Sequence, residues 1–503
     1  MSDAQNPGLS ELAEVIRGAL HLYIGMIVAN LLGYFYWLVT ARLTTPEDVG
    51  TASMVINIAS IISGITLLGI PTGIQRLLGK AHAENNLEKL RGYTASALAM
   101  LAAPSAITVA LLLAFRDHLS TVLRIPGQFI LIVAALVIAS NMNSLFRALY
   151  ISTLRTKIVM LVSVSSSTAR LMLGVTLILL GLKALGIALG YLIPTLVALT
   201  AYTLISMKQA LFPKPDISLR QAHPILQAGI VTWIPGLIYL LGTNLGVPIV
   251  YGYHGAHKAG LYSIAYAVAT AVLAIPLAIF NIAYPVLSGM KDMRKRTTWE
   301  AMKISLLITA PLTAVLAVYG DVLLATLKPE YREAHPALAI LSIAIIPSTI
   351  ATGINTLTYA YGIYRLVLEL GLATNITRTT LYVALTPIAG GRGAATAFLA
   401  GTIAGMATAI HIAKKLNFRI NWREIATLLA VPSTTALACR LAHLPWPLGM
   451  PLILLIPSIT YMKLEVIPQD EIRELVKKLA PKRALLTRMK KPTSTSKDTK
   501  AKP

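Results

Sequence analysis

Residues 41–54 read ARLTTPEDVGTASM. A long apolar run ends just before them and another starts near Gly50, so Arg42, Glu47 and Asp48 mark a short polar turn between two greasy segments. Pro46 suits the first turn of a helix, Glu47 and Asp48 suit its positive N-terminal pole, and Gly50 lets a neighbouring helix come close. The pattern recurs 210 residues later. There HKAGLYS (257–263) aligns with EDVGTAS (47–53), Gly260 with Gly50 and Ser263 with Ser53, and at the same offset Arg365 aligns with Arg155.

The flanking composition says what kind of chain carries this repeat. Of 503 residues, 55% are hydrophobic and only 13% charged, where soluble domains carry about a quarter charged residues. A spanning helix needs about 20 mainly apolar residues. Fourteen stretches qualify, from 18–40 at the start to 424–443 and 446–464 at the end. They are too long for barrel strands and lack their alternation, so the expected fold is all-α and polytopic. Read with the repeat, it comprises a cytoplasmic N-terminal segment (1–17), a six-helix lobe (18–207), a linker (208–224), a second six-helix lobe (225–413), two added helices (424–464) and a basic tail (465–503). Six is even, so both lobes start on the same side and are related by an axis along the membrane normal, with a path between them.

The net charge of +23 would suit nucleic acid, but its distribution follows the loops. With the N-terminus cytoplasmic, 33 of the 44 Lys and Arg fall on inner loops and tails, nine on outer loops, and two, Arg170 and Arg378, within spans. This asymmetry predicts two cytoplasmic termini in a cell membrane. No nucleic-acid motif accompanies the charge. The first ten residues, MSDAQNPGLS, are polar and no small-residue cleavage site follows the first span, so no removable signal peptide is expected. In the tail, Ile472, Leu475, Val476 and Leu479 share a helical face ringed by Lys and Arg, which suits either an interfacial helix on anionic lipid or a solvated basic tail. Cys439 is the single cysteine, which excludes an internal disulfide and a multi-cysteine metal site.

Three segments carry a family resemblance. FYWLVTARLTTPEDVGTASMVINIASIISGITLLGIPTGIQRLLGK (35–80) resembles the N-terminal signature of the polysaccharide-biosynthesis oligosaccharide flippases, in the superfamily that also holds multidrug and toxin extruders and peptidoglycan-precursor flippases. KAGLYSIAYAVATAVLAIPLAIFNIAYPVLSGM (258–290) resembles that family's middle helix, and GDVLLATLKPEYREAHPALAILSIAIIPSTI (320–350) its G.EY..A...L segment. The resemblance covers residues 15 to about 415. It implies a flippase that moves lipid-linked oligosaccharide from the cytoplasmic to the outer leaflet, with glycan-assembly proteins as partners.

Such cargo carries a phosphate or pyrophosphate on a polyprenol, so cations and hydrogen-bonding groups are expected in an apolar path. Charges within spans are expensive and mark candidate sites. Arg170 shares a face of span 5 with Ser163, Ser166 and Ser167, and Arg378 shares a face of span 11 with Asn375, Thr379, Tyr382 and Thr386. These spans correspond in the two repeats. The paired guanidinium groups either flank one anion across a cavity or bond carbonyls of neighbouring kinked helices. Arg76, Arg147, Arg155 and Arg365 sit at inner helix ends, where a lipid phosphate first meets the protein, or where basic anchors snorkel. Asn30, Tyr34 and Trp37 put polar and aromatic groups on span 1. Glu369 is a candidate ion-coupling group, or the local partner of Arg365 one turn away. Prolines at 104, 194, 235, 276, 311, 347 and 432 invite kinks.

GIQRLLGKA (73–81) has one residue too many between its glycines for a nucleotide-phosphate loop, and His254 with His257 lacks further metal ligands. No nucleotide, cofactor or metal is expected. The reading is a flippase working by alternating access, driven by an ion gradient, the membrane potential or cargo consumption. Two rivals stand beside it: an ion-coupled drug extruder on the same scaffold, and a non-transporting partner in a glycan-assembly complex. Spans 1 to 8 hold no Asp or Glu well inside the membrane, which favours anionic over cationic cargo.

Overall fold

The computed structural model describes residues 7–209, 211, 219–290 and 292–463. The tail face at 472–479 and residues 210 and 212–218 of the 208–224 linker lie outside the described residues. Among the described residues there is no strand, and nine helical runs are long and apolar enough to cross a membrane. The chain is a multi-pass, all-helical membrane protein.

The helices are α1 (Pro7–Leu43), α2 (Pro46–Thr66), α3 (Ile70–Ala83), α4 (Leu87–Ala114), α5 (Arg116–Leu123), α6 (Gly127–Ser152), α7 (Thr156–Leu177) and α8 (Lys183–Lys208). There follow α9 (Leu219–Asn244), α10 (Gly246–Gly289), α11 (Arg294–Ala325), α12 (His335–Ile343), α13 (Ile345–Ala360), α14 (Tyr364–Lys415), α15 (Trp422–Leu441) and α16 (Trp446–Lys463). Three of the apolar runs are 52, 53 and 67 residues long, about twice or more what a bilayer needs. Each is broken by a glycine at positive φ: Gly181 at 85°, Gly255 at 80° and Gly390 at 57°. A side chain resists that conformation, so these glycines are where the chain reverses.

The opening turn folds as its residues dictate. Thr45 caps α2 with its hydroxyl, accepting from the Asp48 amide, while the Asp48 carboxylate accepts from the Thr45 amide, and Pro46 occupies the first helical turn. Three elements differ from the sequence expectation. Helix α1 begins at Pro7, well before the apolar run. The second span stops at Thr66 because Leu68 and Gly69 take positive φ, and the chain restarts as the separate helix α3. Between α11 and α12 a 3-10 turn, Pro329–Ala334, seats the buried Tyr331.

Two bundles result, one of α1–α8 and one of α9–α14, with α15 and α16 packed beside α11 of the second. The seam between them is built chiefly by α2 lying along α10 and α3 along α9. One end of the seam is closed by contacts between connections: Arg42 donates to the Thr326 and Leu327 carbonyls, Lys328 Nζ donates to Thr44 O at 2.6 Å, and His257 Nδ1 lies 2.6 Å from Glu47 Oε1.

Candidate functional site

The seam is made of the repeated residues themselves. Gly50 lies against Gly260: a Cβ at Gly50 would overlap the Ala256 carbonyl oxygen, and one at Gly260 would overlap the Pro46 carbonyl oxygen. Three residues further along each helix, Ser53 Oγ and Ser263 Oγ share a buried hydrogen bond of 2.8 Å. Glu47 and His257 are also repeat mates. The residues matched at the 210-residue offset thus face one another where α2 meets α10.

Below the serine pair the helices part around a chamber of about 260 Å³. The first bundle supplies Tyr34, Trp37, Asn57 and Tyr191 to its wall, and the second supplies Thr243, Asn244, Tyr262, Tyr266 and Thr270. Helical spacing explains part of this, since Asn57 sits one turn beyond Ser53 on the seam face. Its amide donates to Ser53 O at 2.7 Å, and Tyr34 OH bridges the bundles by donating to Thr270 O at 3.1 Å. Among the described residues, no charged side chain lines the chamber.

That corrects the expectation of two guanidinium groups flanking a shared cavity. Arg170, in α7, lies 4.1 Å above the ring of Tyr191, and Tyr191 lines the chamber in a cluster with Tyr36 and Trp37. Arg378, in α14, lies 3.9 Å above Phe398, whose ring meets Tyr266 edge-on at 5.5 Å. Each cation is therefore held within its own bundle, one ring removed from the chamber in the first case and two in the second. A planar guanidinium stacks on an aromatic face at little desolvation cost, whereas open water in so small a space is scarce.

Around Arg378 the polar stripe read from sequence is real but turned inward. Arg378 is 5% exposed. It makes one long hydrogen bond, Nη1 to Gly242 O at 3.5 Å, and its Nε has no partner. Asn375 Oδ1, Thr379 Oγ1 and Thr386 Oγ1, all buried, also lack partners. No carboxylate pairs with Arg378 in the described structure, so its burial is not repaid by an ion pair. Replacing Arg378 with methionine is expected not to lower the melting temperature in detergent. A fall of more than about 2 °C, on the order of 2 kcal/mol for a chain of this length, would show that the guanidinium has a stabilising partner.

The remaining candidates scatter. Ser166 Oγ donates to Pro194 O at 3.2 Å within the first bundle. Asn30 is exposed on α1, away from the chamber, and Arg76 and Arg147 are exposed at the end opposite the closed seam. Arg155 donates to Gln209 Oε1. Arg365 Nε lies 3.3 Å from Glu369 Oε1, so Glu369 sits in a local pair one helical turn long, and its geometry gives no support to ion coupling. Of the sequence candidates, only Tyr34 lines the chamber; Trp37, noted with it on span 1, does so too. Asn57, Tyr191, Asn244 and Tyr262 were missed because the sequence search weighted charge, while this wall is built of amides, hydroxyls and rings. Lone polar residues in otherwise apolar runs were the available signal.

With that geometry in hand, likeness to known proteins can be placed. Residues 39–331 match the family described as polysaccharide biosynthesis protein. No curated protein matches the chain. Among solved structures, the lipid II flippase MurJ in an inward closed conformation is similar with a TM-score of 0.71 and 13% identity, covering 88% of this chain and 99% of that one. An inward-facing multidrug resistance MATE family transporter of the MOP superfamily gives 0.61 and 15%, covering 80% and 98%. A mutant of the Vibrio cholerae MATE transporter VcmN gives 0.53 and 17%, covering 81% and 97%. At these identities the likeness is one of fold.

Proposed function

The chain belongs to the polysaccharide biosynthesis protein family, and on that premise we propose that it is a flippase carrying lipid-linked oligosaccharide from the cytoplasmic to the outer leaflet of the cell membrane. The observation that carries the reading is the chamber on the seam, walled by amides, hydroxyls and aromatic rings from both bundles. Such a wall hydrogen-bonds sugar hydroxyls and packs against their apolar faces without fixing an ion. The two bundles are the lobes of an alternating-access cycle. They rock about the α2–α10 seam, the glycan head crosses between them and the lipid tail stays in the bilayer. The closed end faces outward, with both termini cytoplasmic and the basic tail on anionic lipid. In this state Arg170 and Arg378 stand behind their rings, and rotation of Tyr191, or of Phe398 together with Tyr266, would present positive charge to a phosphate. Energy comes from an ion gradient, the membrane potential or consumption of cargo.

Purified protein in proteoliposomes is expected to move labelled lipid-linked oligosaccharide between leaflets. Drug-dependent ion flux in its place would favour an extruder, and silence in both assays a structural partner in glycan assembly. Within the chamber, Asn57→Leu is expected to cut translocation about tenfold, since one buried hydrogen-bonding group toward the glycan is worth about 1–1.5 kcal/mol. An unchanged rate would take the chamber out of the path.

A further inference from the structure

A second cavity, of about 1100 Å³, opens at the closed end of the second bundle, where four connections converge. They are the Gly255 reversal of α10, the α11–α12 connection, the Gly390 reversal of α14 and the turn between α15 and α16. Tyr262 lines both this basin and the seam chamber, so a single ring separates them.

The chemistry of the basin is the reverse of the chamber's. Four cations and three histidines face two carboxylates. Both carboxylates are engaged: Lys258 Nζ is 2.8 Å from Glu333 Oε2 and Arg332 Nε is 3.8 Å from Asp321 Oδ2. Two histidines are anchored, His254 Nε2 donating to Thr386 O at 2.9 Å and His335 Nε2 to Ala317 O at 3.0 Å. Arg392, Arg440 and His443 remain, lining the basin with no side-chain hydrogen bond or ion pair among the described residues.

Arg440 and His443 stand on a fixed wall. Tyr319 OH donates to Leu444 O at 2.9 Å, and Gly449 packs so tightly on that phenol that a Cβ there would overlap the hydroxyl. The α15–α16 turn, with Arg440, His443 and Trp446, is thereby pinned to α11. A guanidinium offers a planar fork that matches a carboxylate or phosphate bidentately, and Trp446 and Tyr319 supply aromatic surface beside it. A backbone already fixed leaves only side-chain ordering to be lost on binding.

We propose that this basin is a second binding site, for an anionic group carried on a sugar, either a carboxylate or a phosphate, held by Arg392, Arg440 and His443. The proposal rests on the flippase reading only for the origin of such a sugar, an acidic glycan arriving in the outer leaflet. Binding itself requires no translocation.

The test uses the full-length protein in nanodiscs, titrated with glucuronate, glucose 1-phosphate, inorganic phosphate and neutral glucose, with binding read by calorimetry. Saturable binding of glucuronate or glucose 1-phosphate is expected, with glucose at least tenfold weaker. The Arg392→Gln/Arg440→Gln double variant should lose about tenfold or more in affinity, and the corresponding double lysine variant should fall between it and the native protein. Thr200→Ala, on α8 of the first bundle where the hydroxyl bonds only within its own helix, should leave affinity unchanged. Four results would overturn the proposal: no saturable binding of either acid sugar, glucose binding as well as glucuronate, inorganic phosphate binding as well as both sugars, or native affinity in the glutamine variant. A protein that binds these sugars but translocates nothing retains the basin and loses the flippase reading.

Discussion

A leucine at Gly260 is expected to lower translocation at least tenfold while leaving membrane insertion intact. The groups it meets are backbone: a Cβ there would overlap the Pro46 carbonyl oxygen and stand 2.7 Å from its carbon, and on the other side Gly50 sits equally close to Ala256. No side chain can rotate away, so α2 and α10 must separate by about an ångström or more to restore van der Waals contact. Separation breaks the Ser53–Ser263 hydrogen bond and loosens the Glu47–His257 contact. If the closed seam is one of two alternating states, a loss of about 1.4 kcal/mol from it changes its population tenfold. The control is Gly33→Ala on α1, where a Cβ would meet nothing within 4 Å and helix propensity improves. Full-rate transport by Gly260→Leu would show that the seam never needs to close.

The second large effect is expected from joining the bundles. Ser53 Oγ and Ser263 Oγ are 2.8 Å apart, a geometry that a disulfide of about 2 Å with its longer C–S bonds can replace. Cys439 is the single native cysteine, so Ser53→Cys/Ser263→Cys in a Cys439→Ala background gives an unambiguous cross-link. Oxidised protein should translocate at less than about a tenth of the reduced rate, the equivalent of roughly 1.4 kcal/mol or more on the barrier, and reductant should restore it. Oxidised protein working at full speed would mean that α2 and α10 stay together throughout the cycle, and alternating access at this end would fall.

What could be read in advance follows from the physics of each signal. Spans were legible because crossing hydrocarbon demands long apolar runs, and the α2 start was legible because Pro46, Glu47 and Asp48 are helix-start residues. The contact of α2 with α10 was legible because Gly50 and Ser53 have counterparts, Gly260 and Ser263, at a fixed offset. Helix α3 was not, since the apolar run continues across Gly69 and Pro71, the residues that mark its start. The Arg378 stripe shows the other limit. Periodicity states that Asn375, Arg378 and Tyr382 share a face, but the partner of that face depends on where Gly242 and Phe398 pack, which is a tertiary matter. The chamber wall went unread because hydroxyls and amides lack the cost that makes a buried charge conspicuous.

The meeting of repeat mates across the seam carries one more consequence. Two separate copies of a single gene product, arranged this way, would confront carboxylate with carboxylate at the Glu47 position, and like charges that close repel. Joining both copies in one polypeptide frees each side of the interface to be mutated alone. Here an acid faces an imidazole, a pairing that two identical copies could not make at that position, whereas the serine pair is one that identical copies could share.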